Sequence, residues 1–141
     1  MSTSYSLAIK NIKWETEKAV QLVFDVPQRL QNEFAFKPGQ YVNLETHINA
    51  EKVRRSYSIC ASTSEELAVA IKELDGGVFS THANQNLKIG DQLEVFPPEG
   101  NFLLTPSTEE TTYMAFAAGS GITPILSMVK TLLGETKHKF V

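Results

Sequence analysis

Apolar and polar residues alternate along most of the first hundred positions, the period of strands that turn one face to a core. Tyr5, Leu7 and Ile9 share a face; the phase then slips by one so that Ile12 and Trp14 take over, which predicts a bulge near Lys10-Asn11. After a polar turn at Glu15 to Lys18, the residues Val20, Leu22, Phe24 and Val26 alternate strictly until Pro27 stops the strand. Leu30 to Phe36 reads as irregular, with room for one helical turn, and Pro38-Gly39 signals a turn into a third strand at Tyr41 to Leu44. A polar connection leads into a fourth strand, Val53 to Cys60. A fifth, Leu67 to Leu74, sets Leu67, Val69 and Ile71 on one face and Ala68, Ala70 and Lys72 on the other. Asp75-Gly76-Gly77 breaks it, Val78 to Asn86 suits a short helix, and Gln92 to Phe96 is a sixth strand ended by Pro97-Pro98-Glu99-Gly100. Short strands at such spacing predict a mainly β fold, an antiparallel barrel closed or nearly closed.

The pattern changes after Phe102. Thr105 to Thr112 is polar, and Tyr113 to Ala118 is a continuous apolar run of the kind buried on both faces of a parallel sheet. Gly119-Ser120-Gly121 follows, then a helix from about Ile122 to Leu133, with Pro124 in its first turn and Gly134 at its stop. Lys139-Phe140-Val141 reads as the start of another strand. The expected organisation is a barrel over 1–104, a linker over 105–112, and over 113–141 the first βα unit of an α/β domain. A βα unit alone cannot bury both faces, so the chain reads as a truncated piece of a longer protein.

Composition narrows the classes. The 141 residues are 42% hydrophobic and 21% charged, ordinary for a globular chain with a real core. A net charge of -3 offers no basic footprint for nucleic acid. One cysteine, Cys60, rules out an internal disulfide framework and a cysteine-ligated metal cluster within the chain, and His47, His82 and His138 lack ligand spacing. No apolar run approaches the roughly 20 residues of a membrane span, so the cytoplasm is the expected compartment.

Chemistry enters at three places. The fourth strand carries Arg54-Arg55-Ser56-Tyr57-Ser58 where a core strand would carry Val and Leu. Arginine is a planar fork of donors suited to phosphate, and tyrosine is a platform for a flat ring, so the strand reads as the seat of a dinucleotide with an aromatic end, such as a flavin. A solvated surface strand is the plainer alternative. Gly76-Gly77-Val78-Phe79-Ser80-Thr81 follows the strand bearing Lys72; its glycines permit close backbone approach and its helix-opening amides suit an anion, although a hairpin turn with a serine cap has the same signature. Gly119-Ser120-Gly121-Ile122-Thr123-Pro124 stands between a strand and a helix N-terminus, an arrangement for a pyrophosphate, without completing the G-x-G-x-x-G fingerprint. There Thr123 reads equally as an N-cap.

Phe36-Lys37-Pro38-Gly39-Gln40-Tyr41-Val42, Arg55-Ser56-Tyr57-Ser58, Gly77-Val78-Phe79-Ser80, Pro98-Glu99-Gly100-Asn101-Phe102 and Gly119 to Pro124 occur in an order that resembles the ferredoxin–NADP(+) reductase superfamily, from about Leu7 to Leu133. The likeness is greatest to reductase components of oxygenase systems. The resemblance implies a six-stranded Greek-key barrel that binds FAD, followed by an α/β domain that binds NAD(P)H. It further implies an oxidoreductase in which hydride passes from the nicotinamide to FAD, and electrons go on singly to an acceptor such as a ferredoxin-like [2Fe–2S] domain or an oxygenase component. Position by position, it places Arg55 at the FAD pyrophosphate, Tyr57 against the ribityl–isoalloxazine portion and Ser58 near N5, with Ser56 among the cofactor-binding residues. Ala70, Ile71 and Lys72 would line the flavin and phosphate path. Gly77, Val78, Phe79, Ser80 and Thr81 would bind phosphate, and Gly119, Ser120, Gly121 and Thr123 would meet the nicotinamide dinucleotide. Ser58 and Thr123 are the residues expected at the reacting atoms. A non-catalytic flavin-binding subunit on the same barrel, and a barrel interaction domain without cofactor, are the alternatives.

Overall fold

Leu7, Ile9, Val20, Leu22, Phe24, Val42, Leu44, Val69, Ile71, Leu93 and Val95 are all at most 1% exposed, and all come from alternating strand positions. They come from five of the six strands that enclose the core, β1 (Tyr5–Thr16), β2 (Ala19–Asp25), β3 (Tyr41–Ile48), β5 (Ala68–Lys72) and β6 (Gln92–Val95), while β4 (Glu51–Ser58) packs only the half-buried Val53 and Tyr57 against it. The computed structural model describes residues 3–134 and 138–141. The strands make one antiparallel sheet in the order β4-β3-β6-β1-β2-β5, so β6 returns between β3 and β1 in Greek-key fashion. The outer strands β4 and β5 meet where Ile59 bridges Val69 and the Cys60 amide donates to the Ala68 carbonyl at 3.0 Å, which closes the barrel.

The phase slip in β1 is a register shift between Ile9 and Asn11. Trp14, expected on the apolar face, is 57% exposed. It stands opposite buried Val20, but β6 pairs only with Tyr5 to Ala8, so this end of β1 has no neighbour to cover a large ring. Helix α1 (Val78–Gln85) packs on β4 and β5 at the closure and sinks Phe79 and Ala83 into the core. Asn84 ties it down, donating from Nδ2 to the carbonyls of Ile71 at 3.0 Å and Ser80 at 2.9 Å.

Beyond the barrel, β7 (Thr112–Tyr113) and β8 (Lys139–Phe140) pair in parallel, with α2 (Ile122–Leu133) between them in the chain. The apolar run after Tyr113 was expected to be buried on both faces, yet Met114 is 67% and Phe116 is 89% exposed. Among the described residues only β8 pairs with this segment, and no second layer covers it. Helix α2 sits against the barrel, burying Ser127, Met128 and Leu132.

Candidate functional site

Alternation along β4 separates its two arginines. Arg55 shares a face with Tyr57, two residues on, whose ring lies 5.7 Å from that of Phe79 in α1. Arg54 points the other way and lays its guanidinium 3.5 Å from the centre of the Phe96 ring. Arg55 remains exposed and bonds only its neighbour's carbonyl, Nη1 to the Arg54 oxygen at 2.8 Å, with no ion pair among the described residues. A planar fork without a carboxylate, beside a half-buried phenol, is a donor set suited to a phosphate. Burial raises the Tyr57 pKa above its usual value, with the Arg55 charge opposing, so the phenol is neutral at physiological pH.

The opening of α1 lies at the same closure. Gly77 is its N-cap, and no side chain caps the helix. The amides of Val78, Phe79 and Ser80 in the first turn therefore point out of the N-terminus without intrahelical acceptors. A Cβ on Gly77 would come within 2.3 Å of Ser80 Oγ, so the bare Cα keeps this cradle open. Three expectations change in detail. Ser80 is buried and its Oγ accepts from the Leu74 amide at 3.1 Å, so its contribution to an anion site is its own amide. The Thr81 amide already donates to Gly77 O at 3.1 Å within the helix. Ile71, expected along the cofactor path, is a core side chain, because strand alternation turns it inward, and the side chain of Phe79, whose amide was expected at the phosphate, is buried as well. The Phe79 side chain reaches the site only by backing the Tyr57 ring, while its amide belongs to the cradle.

Ser56, Tyr57, Ser58, Ala70 and Lys72 of the barrel and Gly119, Ser120 and Thr123 of the second unit line one cleft of about 1280 Å³. Its floor is the outward face of β5 and β2, where Ala68, Ala70 and Ala19 leave room above the sheet. Ser56 Oγ donates to Asn43 Oδ1, and Asn43 Nδ2 donates to Glu99 Oε1 at 2.7 Å, which orients β4's outer face. Thr123 lies in the first turn of α2 rather than capping it, and its hydroxyl donates to the Ser120 carbonyl at 2.9 Å. Gly121 belongs to the turn but not to the lining. Gln21, Val23 and Lys130 also line the cleft and had no signal of their own in the sequence beyond an outward strand phase or a helix position. Cys60 lines it too, but it is 2% exposed and accepts from Gln21 Nε2 at 3.5 Å. Burial pushes its thiol pKa up, away from redox or nucleophilic use. Among the described residues no group of His, Cys, Asp and Glu could hold a metal ion, and no helix is long and apolar enough to cross a membrane.

The donor set fits a flavin dinucleotide: a lone guanidinium and uncapped amides for the diphosphate, a backed aromatic ring and hydroxyls for the ring system. Comparison with known proteins agrees. The chain is 43% identical over 135 residues to a component of the 1,2-phenylacetyl-CoA epoxidase of Escherichia coli K12, covering 94% of this chain and 38% of that protein. It is 35% identical over 143 residues to the ferredoxin reductase component of 3-ketosteroid-9-alpha-monooxygenase from Rhodococcus rhodochrous, covering 99% of this chain and 40% of that protein. The chain thus spans about two-fifths of the length of these curated relatives. Among solved structures, phthalate dioxygenase reductase, described as modular for electron transfer from pyridine nucleotides to [2Fe-2S], superposes with a TM-score of 0.75 at 26% identity, over 97% of this chain and 42% of that one. The family profile for the oxidoreductase FAD-binding domain matches residues 6–103, the barrel with its arginine strand and helix cradle, and the chain belongs to that family.

Proposed function

We propose that this chain is the flavin-holding part, with a portion of the nicotinamide-holding part, of an NAD(P)H-dependent reductase that passes a hydride to FAD and then electrons to a one-electron acceptor. The observation that carries this reading is the shared cleft, in which the Ser56–Ser58 stretch of the barrel and the Gly119–Thr123 turn line one space. FAD, when bound, supplies chemistry that no side chain has, taking two electrons as a hydride and giving them up one at a time. The chain's own residues hold and orient. Arg55 and the amides of Val78, Phe79 and Ser80 neutralise the diphosphate, with Lys72 adding charge along the path. Tyr57, backed by Phe79, gives the ring system its platform. Ser58 offers a hydroxyl at the N5 edge, an electrostatic role rather than acid–base catalysis. Gly119, Ser120, Gly121 and Thr123 present backbone and hydroxyl donors to the nicotinamide dinucleotide.

The relatives named as a ferredoxin reductase component and as a reductase serving [2Fe-2S] support an iron–sulfur or oxygenase acceptor. The domain boundary is proposed at 104, with a linker over 105–112, and the compartment is proposed to be the cytoplasm. The test is flavin titration of the chain and of an Arg55→Ala/Tyr57→Ala double variant. The parent is expected to turn yellow, absorbing near ~450 nm, and the variant to lose at least about tenfold in affinity. Equal retention by a folded variant overturns the site. Anaerobic addition of NADH or NADPH is expected to bleach the bound flavin only slowly, since only a portion of the nicotinamide-holding part is proposed for this chain. A tightly bound flavin that neither donor bleaches would favour the non-catalytic flavin-binding subunit instead.

A further inference from the structure

We infer that Ser127 is a positioning residue: its hydroxyl pins α2 to the barrel and so sets the spacing between Ser58 and the Gly119–Thr123 turn across the cleft. The inference rests on the proposed hydride transfer for its consequence, but not for its geometry. Ser127 is 0% exposed and donates from Oγ to the Ala61 carbonyl at 2.6 Å, a bond between residues 66 positions apart.

Both sides of that bond lead directly to the cleft. Ala61 is three residues beyond Ser58 on the continuation of β4. That continuation is held to β5 by the Ile59–Val69 bridge and by the Cys60 amide on Ala68 O at 3.0 Å. Its carbonyl is therefore a fixed point of the barrel. Ser127 is one helical turn, about 6 Å along the axis, beyond Thr123, and the two share a helix face. A single cross-link thus joins two short rigid arms, one ending in Ser58 and the other in Thr123.

The same face continues to Thr131, whose Oγ1 accepts from the Thr63 amide at 3.2 Å. Beside it Lys130 reaches Glu65 Oε2 at 3.1 Å, and Glu65 in turn accepts from the Ser62 amide at 2.8 Å. Of the bonds that α2 makes to residues 61–65, those of Thr131 and Lys130 are exposed and that of Ser127 is buried. Apolar packing of Met128 beside Gly39 holds α2 to the barrel without fixing where along its axis it stops. A hydrogen bond is directional and fixes both sliding and rotation. An error of about 1 Å in the approach of reacting groups can cost up to about a hundredfold in rate, so a register bond in this place has a kinetic consequence.

The test uses the FAD-loaded chain with Ser127→Ala, and with Ser127→Cys, which keeps a weak donor of similar size. Three readouts are compared with the parent: flavin affinity, amide hydrogen exchange, and single-turnover reduction by NADH and NADPH. Ser127→Ala is expected to hold FAD within about threefold of the parent and to leave exchange in β2 and β5 unchanged. It should speed exchange in residues 119–126 and at Thr63, and slow flavin reduction by at least about tenfold, with less than about threefold change in nicotinamide affinity. Ser127→Cys should recover part of that loss. Unaltered exchange at 119–126, or an unaltered reduction rate beside a reducible parent, overturns the inference. So does faster exchange spread evenly through the barrel together with lost flavin, which would mark a merely structural serine. A parent that binds FAD but is not reduced by either donor refutes the proposed reaction, while the exchange result still decides whether Ser127 pins the helix.

Discussion

At the scale of single residues, opposite faces of one strand give neighbouring side chains unrelated tasks. Arg54 is engaged with the Phe96 ring, so Arg54→Ala should cost about 1 kcal/mol of stability in a denaturant melt and leave flavin affinity within about twofold. Arg55→Ala should do the reverse, with a near-parental melt and a flavin affinity lowered about tenfold or more. Gly77→Ala sets a methyl against Ser80 Oγ, and the Leu74 amide then loses its acceptor. About 1–2 kcal/mol of destabilisation together with weaker flavin binding is expected, read by titration and thermal melting. Cys60 gives a pH-dependent readout. Burial raises its pKa, so at pH 8 the thiolate fraction is below that of a free thiol, and alkylation should be slow in the folded protein and fast once it is denatured.

At the scale of elements, the strands and both helices were legible because their signals are local. Period two marked the barrel, a phase slip marked the bulge of β1, and Pro124 with Gly134 bracketed α2 where it stands. Alternation had already set Ile71 on the face of Leu67 and Val69, where it lies, against the cofactor path that the resemblance implied. What could not be read was whether the Phe79 side chain and the Ser80 hydroxyl would serve core or cofactor, because both compete for the same strand-and-helix closure and only packing decides between them. The bonds between the Ala61–Glu65 segment and α2 were equally invisible, since they join residues more than sixty positions apart through ordinary serines and threonines. One of these contacts titrates. The Ser62 amide and then the Lys130 ammonium hold the Glu65 carboxylate below the usual glutamate range. A lowered folded pKa means that the stabilisation is complete above the ordinary value and is lost as pH falls through the folded one. Residues 61–65 and the facing turn of α2 should therefore show smaller amide protection factors, that is, protection relative to the intrinsic exchange rate at each pH, once the pH falls below the usual glutamate range than they show at neutral pH. The effect should be small, since both partners are substantially exposed, and should shrink further in salt.

At the scale of the whole molecule, the barrel carries a continuous core, and the second unit leans on it through one helix face. Limited proteolysis should cut within 103–111, which lacks regular structure, and leave a product ending near Leu103 that retains flavin. Rapid loss of the pigment on such trimming would place part of its seat beyond the barrel. A tighter constraint lies at Gly39, whose backbone has a φ of +102°. A methyl there would stand 1.7 Å from the Phe102 carbonyl oxygen and 2.7 Å from Met128 Cε. Three stretches distant in sequence touch at this one bare Cα. Chimeras that graft the C-terminal part of one reductase onto the barrel of another, joined after residue 104, would thus inherit a lock cut for a different key. The incoming helix must bring a side chain that clears this turn, or the hybrid will bind its pigment and still aim its electron donor amiss.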